Sequence, residues 1–306
     1  MTTENMDYLS FEIEHGVQKA ERMVFIDFRL RFTGTIKRSD ITEQFGVADS
    51  AASKEIAEYK NLAPGNVEYD RTLRSNAIID TYQPLFNISA EQGLGMLANG
   101  FNKNLLVERP IAPYQRVGVF PKKLNVELVA AVTSALSNRV GLGCKYMTAN
   151  SDNYGDRMLF PTAIFYDGKT WMFRAYHRDS DMYKNFNFAR VLEASVFYQM
   201  PARERETIEA DSDWNTKIPL LLRLHPSLAE LDALVVRKDF GIESEKSEFT
   251  YFERAALVYY LIDNWNVDVG QKPTKKSEAG FKFHLVMSEM LEHFESTKRI
   301  LKRTAS

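Results

Sequence analysis

From Asp167 to Val191 the chain reads DGKTWMFRAYHRDSDMYKNFNFARV, and this spacing predicts two strands joined by a polar loop. An Asp-Gly turn leads into the first, Lys169 to His177, whose aromatic residues suit a pleated, half-buried surface. Side chains alternate along a strand. Trp171, Phe173 and Ala175 therefore share one face, and Met172, Arg174 and Tyr176 the other. The second strand, Tyr183 to Val191, places Phe186, Phe188 and Arg190 together. Each strand carries one arginine inside an apolar run, and a desolvated guanidinium without a partner is costly. Three partners stand open: a carboxylate of the same fold, water at a sheet edge, or an anionic ligand such as a phosphate gripped by the guanidinium fork.

Working back towards the N-terminus, Pro121 to Arg139 predicts a helix with its apolar stripe on Leu124, Leu128, Ala131, Val132, Ala135 and Leu136. Val140 to Met147 and Arg157 to Phe165 read as strands about a polar tip at Ser151 to Asp156. Residues 121–198 thus give one helix and about five strands. Further upstream, Phe11 to Phe32 has helical periodicity. After Gly34 comes IKRSDITEQFGVADSAASKEIAEYKNLAPGNVEYD, residues 36–70. Ser39 suits an N-cap for a helix to about Phe45, and Gly46 supplies a turn. Ser50 or Asp49 caps a second helix, roughly Ala51 to Leu62, which stops before Pro64-Gly65. Helix, short glycine turn and helix make a helix-turn-helix. Val67 to Asp70 and Ala77 to Asp80 form a hairpin around Arg71 to Arg74, the position of a wing. Ser89 to Phe101 reads as a short helix and Leu105 to Val119, with Pro110 and Pro113, as an extended connector.

Beyond Asp213 the pattern predicts a strand at Lys217 to Leu224, a helix starting at Pro226 to Leu231 and a strand at Ala233 to Lys238. It continues with an aromatic-rich helix at Phe249 to Trp265 and a last helix at Phe281 to Arg299. The basic tail from Lys298 to Arg303 reads as a solvated helix end.

The 306 residues suit two or three domains, and 44% hydrophobic with 26% charged residues is ordinary for a globular protein with real cores. No apolar run approaches the roughly 18 to 20 residues that span a bilayer, and MTTENMDYLS has no signal-peptide character. The one cysteine, Cys144, excludes an internal disulfide and a cysteine-cluster zinc site and reads as a small buried residue. Five histidines without an HExxH pair argue against a metal centre. Net charge is −2, and residues 1–90 hold ten basic against fourteen acidic residues. Nucleic-acid binding must therefore rest on where the basic residues sit, not on a global field.

The order of these segments resembles the WYL-domain bacterial transcription regulators. Trp171-Met172-Phe173-Arg174-Ala175-Tyr176 is similar to the family's Trp-Tyr-Leu strand ending in Ala-Tyr, and Phe186-Asn187-Phe188-Ala189-Arg190-Val191 to its Phe-x-Leu-x-Arg-Ile strand. Leu62-Ala63-Pro64-Gly65-Asn66 with Glu68-Tyr69-Asp70-Arg71 resembles its winged helix-turn-helix, and DWNTKIPLLLRLHPSLAE with RAALVYYLIDNWNVD its C-terminal extension. The resemblance covers nearly the whole chain, with the defence-island WYL repressors nearest. It implies an α+β fold in four parts: a winged helix-turn-helix at 1–88, a linker with a short helix at 89–120, a small Sm/SH3-like barrel at 121–198, and an α/β dimerisation extension at 199–306.

What the resemblance implies for function is a cytoplasmic, non-enzymatic homodimeric repressor of a phage-defence operon, with no cofactor and no membrane partner. Its partners are a double-stranded operator with an inverted repeat, a second copy of itself, and a nucleotide or short nucleic-acid effector. The second helix of such a domain enters the major groove by its N-terminal end, presenting Ser50, Ala51, Ser53 and Lys54. Lys37, Arg38, Ser39, Lys60, Arg71 and Arg74 meet the backbone or minor groove. By the same carry-over, Tyr146, Thr148, Arg157, Arg174, Tyr176, His177, Lys184 and Arg190 line the barrel's ligand site. The Arg174 and Arg190 guanidinium groups are expected to converge there, with Arg157 and Lys184 at the rim. The family often has Ser at the position of Thr148 and His at that of Thr162, and an exposed His177 is a substitute donor. A nuclease or nucleotide-processing enzyme needs a catalytic set, and neither a phosphate loop nor a nucleophile elbow occurs. The pairs Asp152/Asp156 and Asp179/Asp181 read as loop solvation. A non-catalytic scaffold that binds nucleic acid or nucleotide remains the alternative.

Overall fold

The computed structural model describes residues 7–107, 112–113, 124–148, 155–243, 246, 248–273, 280–298 and 300. The chain divides into two units, Met1–Phe165 with Trp171–Ala202, and Tyr166–Thr170 with Arg203–Ser306. The expected helix over Phe11 to Phe32 is two helices. Gly16, with φ 86°, ends α1 (Tyr8–His15) and starts α2 (Val17–Thr33). α2 buries residues on nearly every side, among them Met23, Val24, Phe25, Ile26, Phe28, Leu30 and Phe32. It is the spine of the first unit.

α2 also buries a carboxylate. Asp27 has no exposed surface. It accepts from Tyr59 Oη at 2.5 Å, Tyr82 Oη at 3.0 Å, and the backbone N–H groups of Leu85 at 3.1 Å and Phe86 at 3.0 Å. Asn66 donates to Tyr59 Oη at 3.0 Å and to the Gln83 carbonyl at 2.6 Å. Burial raises the Asp27 pKa, and these hydrogen bonds oppose the rise.

A two-residue strand, β1 (Thr35–Ile36), follows α2 and leads into α3 (Arg38–Phe45). The cap of α3 falls on Lys37 rather than Ser39, because the Asp40 carboxylate takes the Lys37 N–H at 2.8 Å. Gly46, φ 65°, turns the chain into α4 (Asp49–Leu62), whose N-cap is Ala48, so neither Asp49 nor Ser50 caps it. β2 (Val67–Asp70) and β3 (Ser75–Ile78) pair antiparallel, with Tyr69 opposite Asn76. The returning strand starts two residues earlier than expected. The Asp70 carboxylate accepts from the N–H groups of Thr72 and Leu73, and Arg74 takes the left-handed conformation, so the turn closes early. β1 adds to β3, giving the order β1-β3-β2.

α5 (Ala90–Asn99) opens with a reciprocal Ser89–Gln92 capping box and fits so closely that Gly93 leaves no room for a Cβ beside the Phe32 ring. α6 (Asn104–Val107) replaces the first residues of the expected connector, and the rest of that stretch lies mostly outside the described residues. α7 (Val126–Asn138) starts where Asn125 caps it; residues 121–123 of the expected helix also lie outside.

The strands β4 (Val140–Tyr146), β5 (Asp156–Tyr166), β6 (Trp171–His177), β7 (Met182–Asn187) and β8 (Val191–Pro201) form one sheet in the order β7-β6-β5-β4-β8. The expected strand Tyr183 to Val191 is broken. Asn187 caps a tight turn at Phe188–Arg190, through its side chain on the Ala189 N–H at 2.9 Å, and β8 begins at Val191. The expected hairpin tip at Ser151 to Asp156 lies outside the described residues except for Asp156 at the start of β5. Cys144 is buried as expected, and burial pushes its thiol up to about 11. One apolar cluster runs from Tyr8 and Phe11 through Phe32 and Tyr59 to Leu142, Phe173 and Val191.

The second unit has its own core on β9 (Lys217–Leu224), after α8 (Ser212–Asn215). Its sheet order is β10-β9-β12-β11. Three expectations fail here. Ala233 to Lys238 lies in a helix, α9 (Glu230–Asp239), where Glu230 and Asp232 at the start and Arg237 and Lys238 at the end complement the dipole. The aromatic run at 249–265 begins as a strand, β10 (Glu248–Arg254), and only then becomes α10 (Val258–Trp265). After β11 (Val267–Asp268), the expected last helix is a strand, β12 (Phe283–Leu285), followed by a tight turn at Ser288–His293. β11 lies parallel to β12, and β12 antiparallel to β9.

Removing the Asp27 carboxylate leaves two buried N–H groups and two hydroxyls without their acceptor. Asp27→Ala is therefore expected to cost about 3 kcal/mol or more, read from urea unfolding by circular dichroism. A raised folded pKa means the folded state holds the proton more tightly than the unfolded chain. That stabilisation is complete below the unfolded carboxylate pKa of about 4 and is lost as pH rises through the folded value. Asp27→Asn, which does not ionise, is expected to show a flatter stability profile above about pH 4; parallel profiles for the two proteins would refute this.

Candidate nucleic-acid interface

A cleft of about 630 Å³ opens between the N-termini of α3 and α4 and the β2–β3 hairpin. Lys37, Arg38 and Ser39 line it from α3, Ser53 from α4, and Arg74 from the hairpin turn. These five were expected to contact nucleic acid, and the fold gathers them. Ser50 and Lys54 are exposed on the first turns of α4, Ala51 and Lys60 are half-buried on the same helix, and Arg71 is exposed on the hairpin turn; these five do not line the cleft. The cleft also contains Thr42, Asp49, Tyr69 and Asn76, which the sequence reading passed over. Thr42 lies one helical turn from Ser39, a spacing legible in the sequence. Tyr69, 57% exposed, stands two residues from the buried Val67, so strand alternation does not announce it.

The charges are sorted by position. Lys19 pairs with Glu58, Arg22 with Glu55 at 2.5 Å, and Arg29 with Asp40 at 3.2 Å. α2 thereby engages acids of α3 and α4. Among the described residues Lys37, Arg38, Lys54, Arg71 and Arg74 form no ion pair. The excess of acid in residues 1–90 is partly neutralised from behind, and the cleft face keeps its positive charge.

The β4–β8 sheet divides the other expected residues between its faces. Cys144 opposes Arg157, so Tyr146 and Arg157 share a face. Ala175 opposes Lys184, so His177, Lys184 and Phe186 share a face. Tyr146 packs edge-on against Phe186 at 5.1 Å, which makes it the same face. The Arg157 guanidinium lies 5.3 Å from the Tyr146 ring centre, and Tyr146 Oη accepts the Asn187 N–H at 2.8 Å. Burial raises the Tyr146 pKa, with Arg190 and Arg157 near enough to oppose it. Arg190 itself is exposed on the tight turn, and Thr148 is half-buried just past β4. His177 is 8% exposed, not the exposed residue expected. Its Nδ1 lies 2.6 Å from Ser180 Oγ, and burial, then Lys184, lowers its pKa.

Arg174 and Tyr176 point the other way. Arg174 is 1% exposed, donates to Asn185 Oδ1 at 3.0 Å and lies 5.7 Å from the Tyr183 ring centre. Tyr176 hydrogen-bonds Asp181 and packs edge-on against Tyr183. The expected convergence of Arg174 with Arg190, Arg157 and Lys184 therefore does not occur. Period-two alternation puts Arg174 on the face opposite Lys184, and the break at Phe188 takes Arg190 out of β7. Among the described residues no group of three or more His, Cys, Asp or Glu side chains is arranged to hold a metal ion, and no helix is long and apolar enough to cross a membrane.

Three family descriptions match in the same order as these parts. Residues 18–99 match the BrxR transcriptional regulator winged helix-turn-helix domain, 127–196 the WYL domain, and 217–292 the BrxR transcriptional regulator C-terminal dimerization domain. The chain is 30% identical over 258 residues to the DNA-binding transcriptional repressor CapW of Pseudomonas aeruginosa, covering 82% of this chain and 83% of that one. It is 28% identical over 254 residues to CapW of Escherichia coli strain KTE188, covering 80% and 82%. Against CapW of Stenotrophomonas maltophilia it is 28% identical over 254 residues, covering 81% and 83%. With winged helix, WYL sheet and dimerisation region all in place, the chain belongs to the WYL-domain transcriptional regulators of the BrxR and CapW type.

Proposed function

We propose that this chain is a homodimeric transcriptional repressor that grips an inverted repeat in double-stranded DNA. The observation that carries the reading is the cleft, where Lys37, Arg38 and Arg74, free of ion pairs among the described residues, converge beside the exposed first turns of α4. In this reading Ser50, Ala51, Ser53 and Lys54 face base edges in the major groove, while Lys37, Arg38, Ser39, Lys60, Arg71 and Arg74 meet phosphates and the minor groove. Two-fold symmetry demands half-sites one turn or a multiple apart. A phage-defence operon as the regulated target is what the resemblance to defence-island repressors implies. A gel shift with promoter DNA separates this reading from a non-catalytic scaffold.

The second copy is held through the second unit. Leu231, Leu234 and Val235 on α9 are 76%, 50% and 57% exposed, and Phe252 on the edge strand β10 is 60% exposed. Such apolar surface supports an interface. Leu261 is buried in this unit's own core, and Trp265, from the aromatic-rich stretch, packs against Phe240, Tyr251 and Phe283.

The effector reading rests on the Arg157, His177 and Lys184 face with Arg190 beside Tyr146. Like charges gathered this way favour an anion, so a nucleotide or short nucleic acid is the expected ligand. Arg174 and Tyr176 support it from the other side of the sheet.

Lys54→Ala and Ser53→Ala are expected to reduce discrimination between operator and random DNA by about 1 to 3 kcal/mol, measured by competition gel shift. Arg74→Ala should weaken both alike and lower the salt slope by about one. Unchanged operator affinity in Lys54→Ala would displace α4 as the reading helix. Leu231→Glu combined with Leu234→Glu should give a monomer by light scattering and lose operator binding; a dimer would move the interface elsewhere. Arg157→Ala and Lys184→Ala should bind operator normally yet lose any shift in melting temperature with nucleotides, whereas Arg174→Ala should lower the melting temperature without ligand. Retained nucleotide response in the first two would dismiss the face as the site.

A further inference from the structure

The C-terminus of α2 is gripped by side chains from the WYL half of the first unit. Asn138, at the end of α7, donates through Nδ2 to the Thr33 carbonyl at 2.8 Å and to the Ser134 carbonyl at 2.8 Å. Tyr198, on β8, shares a 2.9 Å hydrogen bond with Ser134 Oγ. These groups close on Gly34, the left-handed cap of α2 with φ 74°. A Cβ at Gly34 would lie 2.5 Å from Ser134 Oγ, 3.1 Å from Tyr198 Oη and 3.2 Å from Asn138 Nδ2. Glycine is required twice here, for its backbone conformation and for the closeness of its neighbours.

Gly34 is also the anchor of the wing. Its carbonyl accepts the Ile78 N–H at 2.9 Å. The next two residues form β1, pairing Thr35 with Ala77 and Ile36 with Asn76. β3 starts one residue after Arg74, and both Arg74 and Asn76 line the cleft. In the other direction β8 runs from Tyr198 back to Val191, which pairs with Tyr146. Seven residues of extended chain span roughly 23 Å at about 3.3 Å per residue. A few hydrogen bonds about one glycine thus join the sheet that carries Arg190 and Tyr146 to the strand that carries the wing.

We propose that Asn138 and Tyr198 are positioning residues for DNA recognition: they fix the Gly34 cap, and through the Gly34 carbonyl they set where the wing lies against the cleft. Neither side chain touches DNA in this scheme. Their effect passes through Thr33, Gly34 and Ile78, and it gives the WYL half a lever on the wing that needs no movement of α4. The proposal rests on the DNA-binding reading above, but the node itself is testable without DNA.

The test uses the full-length protein with Asn138→Asp, which keeps the shape and removes the donor, and Tyr198→Phe, which removes one hydroxyl. Hydrogen exchange is measured on the free protein. Operator binding is measured across salt concentration, with DNA selected from a random pool by the wild type. Asn138→Asp should speed exchange at Ile78 about tenfold, with the amides of α4 and β4 unchanged. Operator affinity should fall about five- to tenfold, and the salt slope should drop by about one, as for loss of a wing phosphate contact. Adding Arg74→Ala should then cost less than about twofold more, because the two changes remove the same contact. Tyr198→Phe should move the same readouts in the same direction by less. Wild-type exchange at Ile78 in both variants would overturn the proposal. So would acceleration spread through α4 and β4, which would mark a general packing role, or full additivity with Arg74→Ala. A wild type that selects no DNA would defeat the DNA-binding reading, while exchange at Ile78 would still decide whether the node holds the wing.

Discussion

One buried carboxylate sets the frame of the first unit. Asp27 sits on the most buried helix and takes hydrogen bonds from α4 through Tyr59, from Tyr82 beyond the wing, and from the backbone at Leu85 and Phe86. An apolar side chain in its place would satisfy none of these donors. A low-dielectric interior makes each orphan expensive, so the network tolerates one arrangement only. Through Tyr59 and Asn66 that arrangement fixes the rear of α4 and the chain entering the wing. The N-terminal turns of α4 are left facing outward. The cleft beside those turns is thus oriented from behind, by buried groups that do not line it.

Electrostatics follows the same division between rear and front. Three acids of α3 and α4, Asp40, Glu55 and Glu58, are engaged by Arg29, Arg22 and Lys19 of α2, while Asp49 remains in the cleft. These pairs are half-buried and still partly solvated, so their contribution to stability is modest. Their larger consequence is local potential, since they offset negative charge on helices that border a cleft lined by Lys37, Arg38 and Arg74. A near-neutral protein can in this way carry a cationic face, and the overall charge of −2 is uninformative about it.

Much of the architecture was legible because it depends on short-range signals. The glycine turn at Gly46 and the strands β4, β5 and β9 were read within a residue or two. Lys37, Arg38, Ser39, Ser53 and Arg74, singled out from the sequence, are brought by the fold to the lining of one cleft. The failures share a cause. Leu234, Val235 and Val236 look like a strand by propensity, yet helix α9 leaves the first two in solvent, a surface whose logic lies outside the single chain. The run from Phe249 to Trp265 is rich in apolar and aromatic residues on both sides of Glu253 and Arg254, and periodicity alone does not divide it there. Arg174 and Arg190 looked equivalent because each interrupts an apolar segment. The cap at Asn187, invisible as periodicity, separates them. Asp27 itself was read as one acid among fourteen, since nothing local announces that two tyrosines 32 and 55 residues away will close on it.

The apolar cluster that runs without interruption from Tyr8 to Val191 bears on how such a regulator can be rebuilt. The recognition helices and the WYL sheet share one core, so they form a single piece of material and not two exchangeable cassettes. Chimeras that join one regulator's DNA reader to another's WYL sheet at the connector would have to match two halves of a packed interior, side chain for side chain. The second unit has an apolar cluster of its own, from Ile218 to Ile300. A change in the interior of the reader is a change in the interior of the sheet, so the two are constrained to drift together.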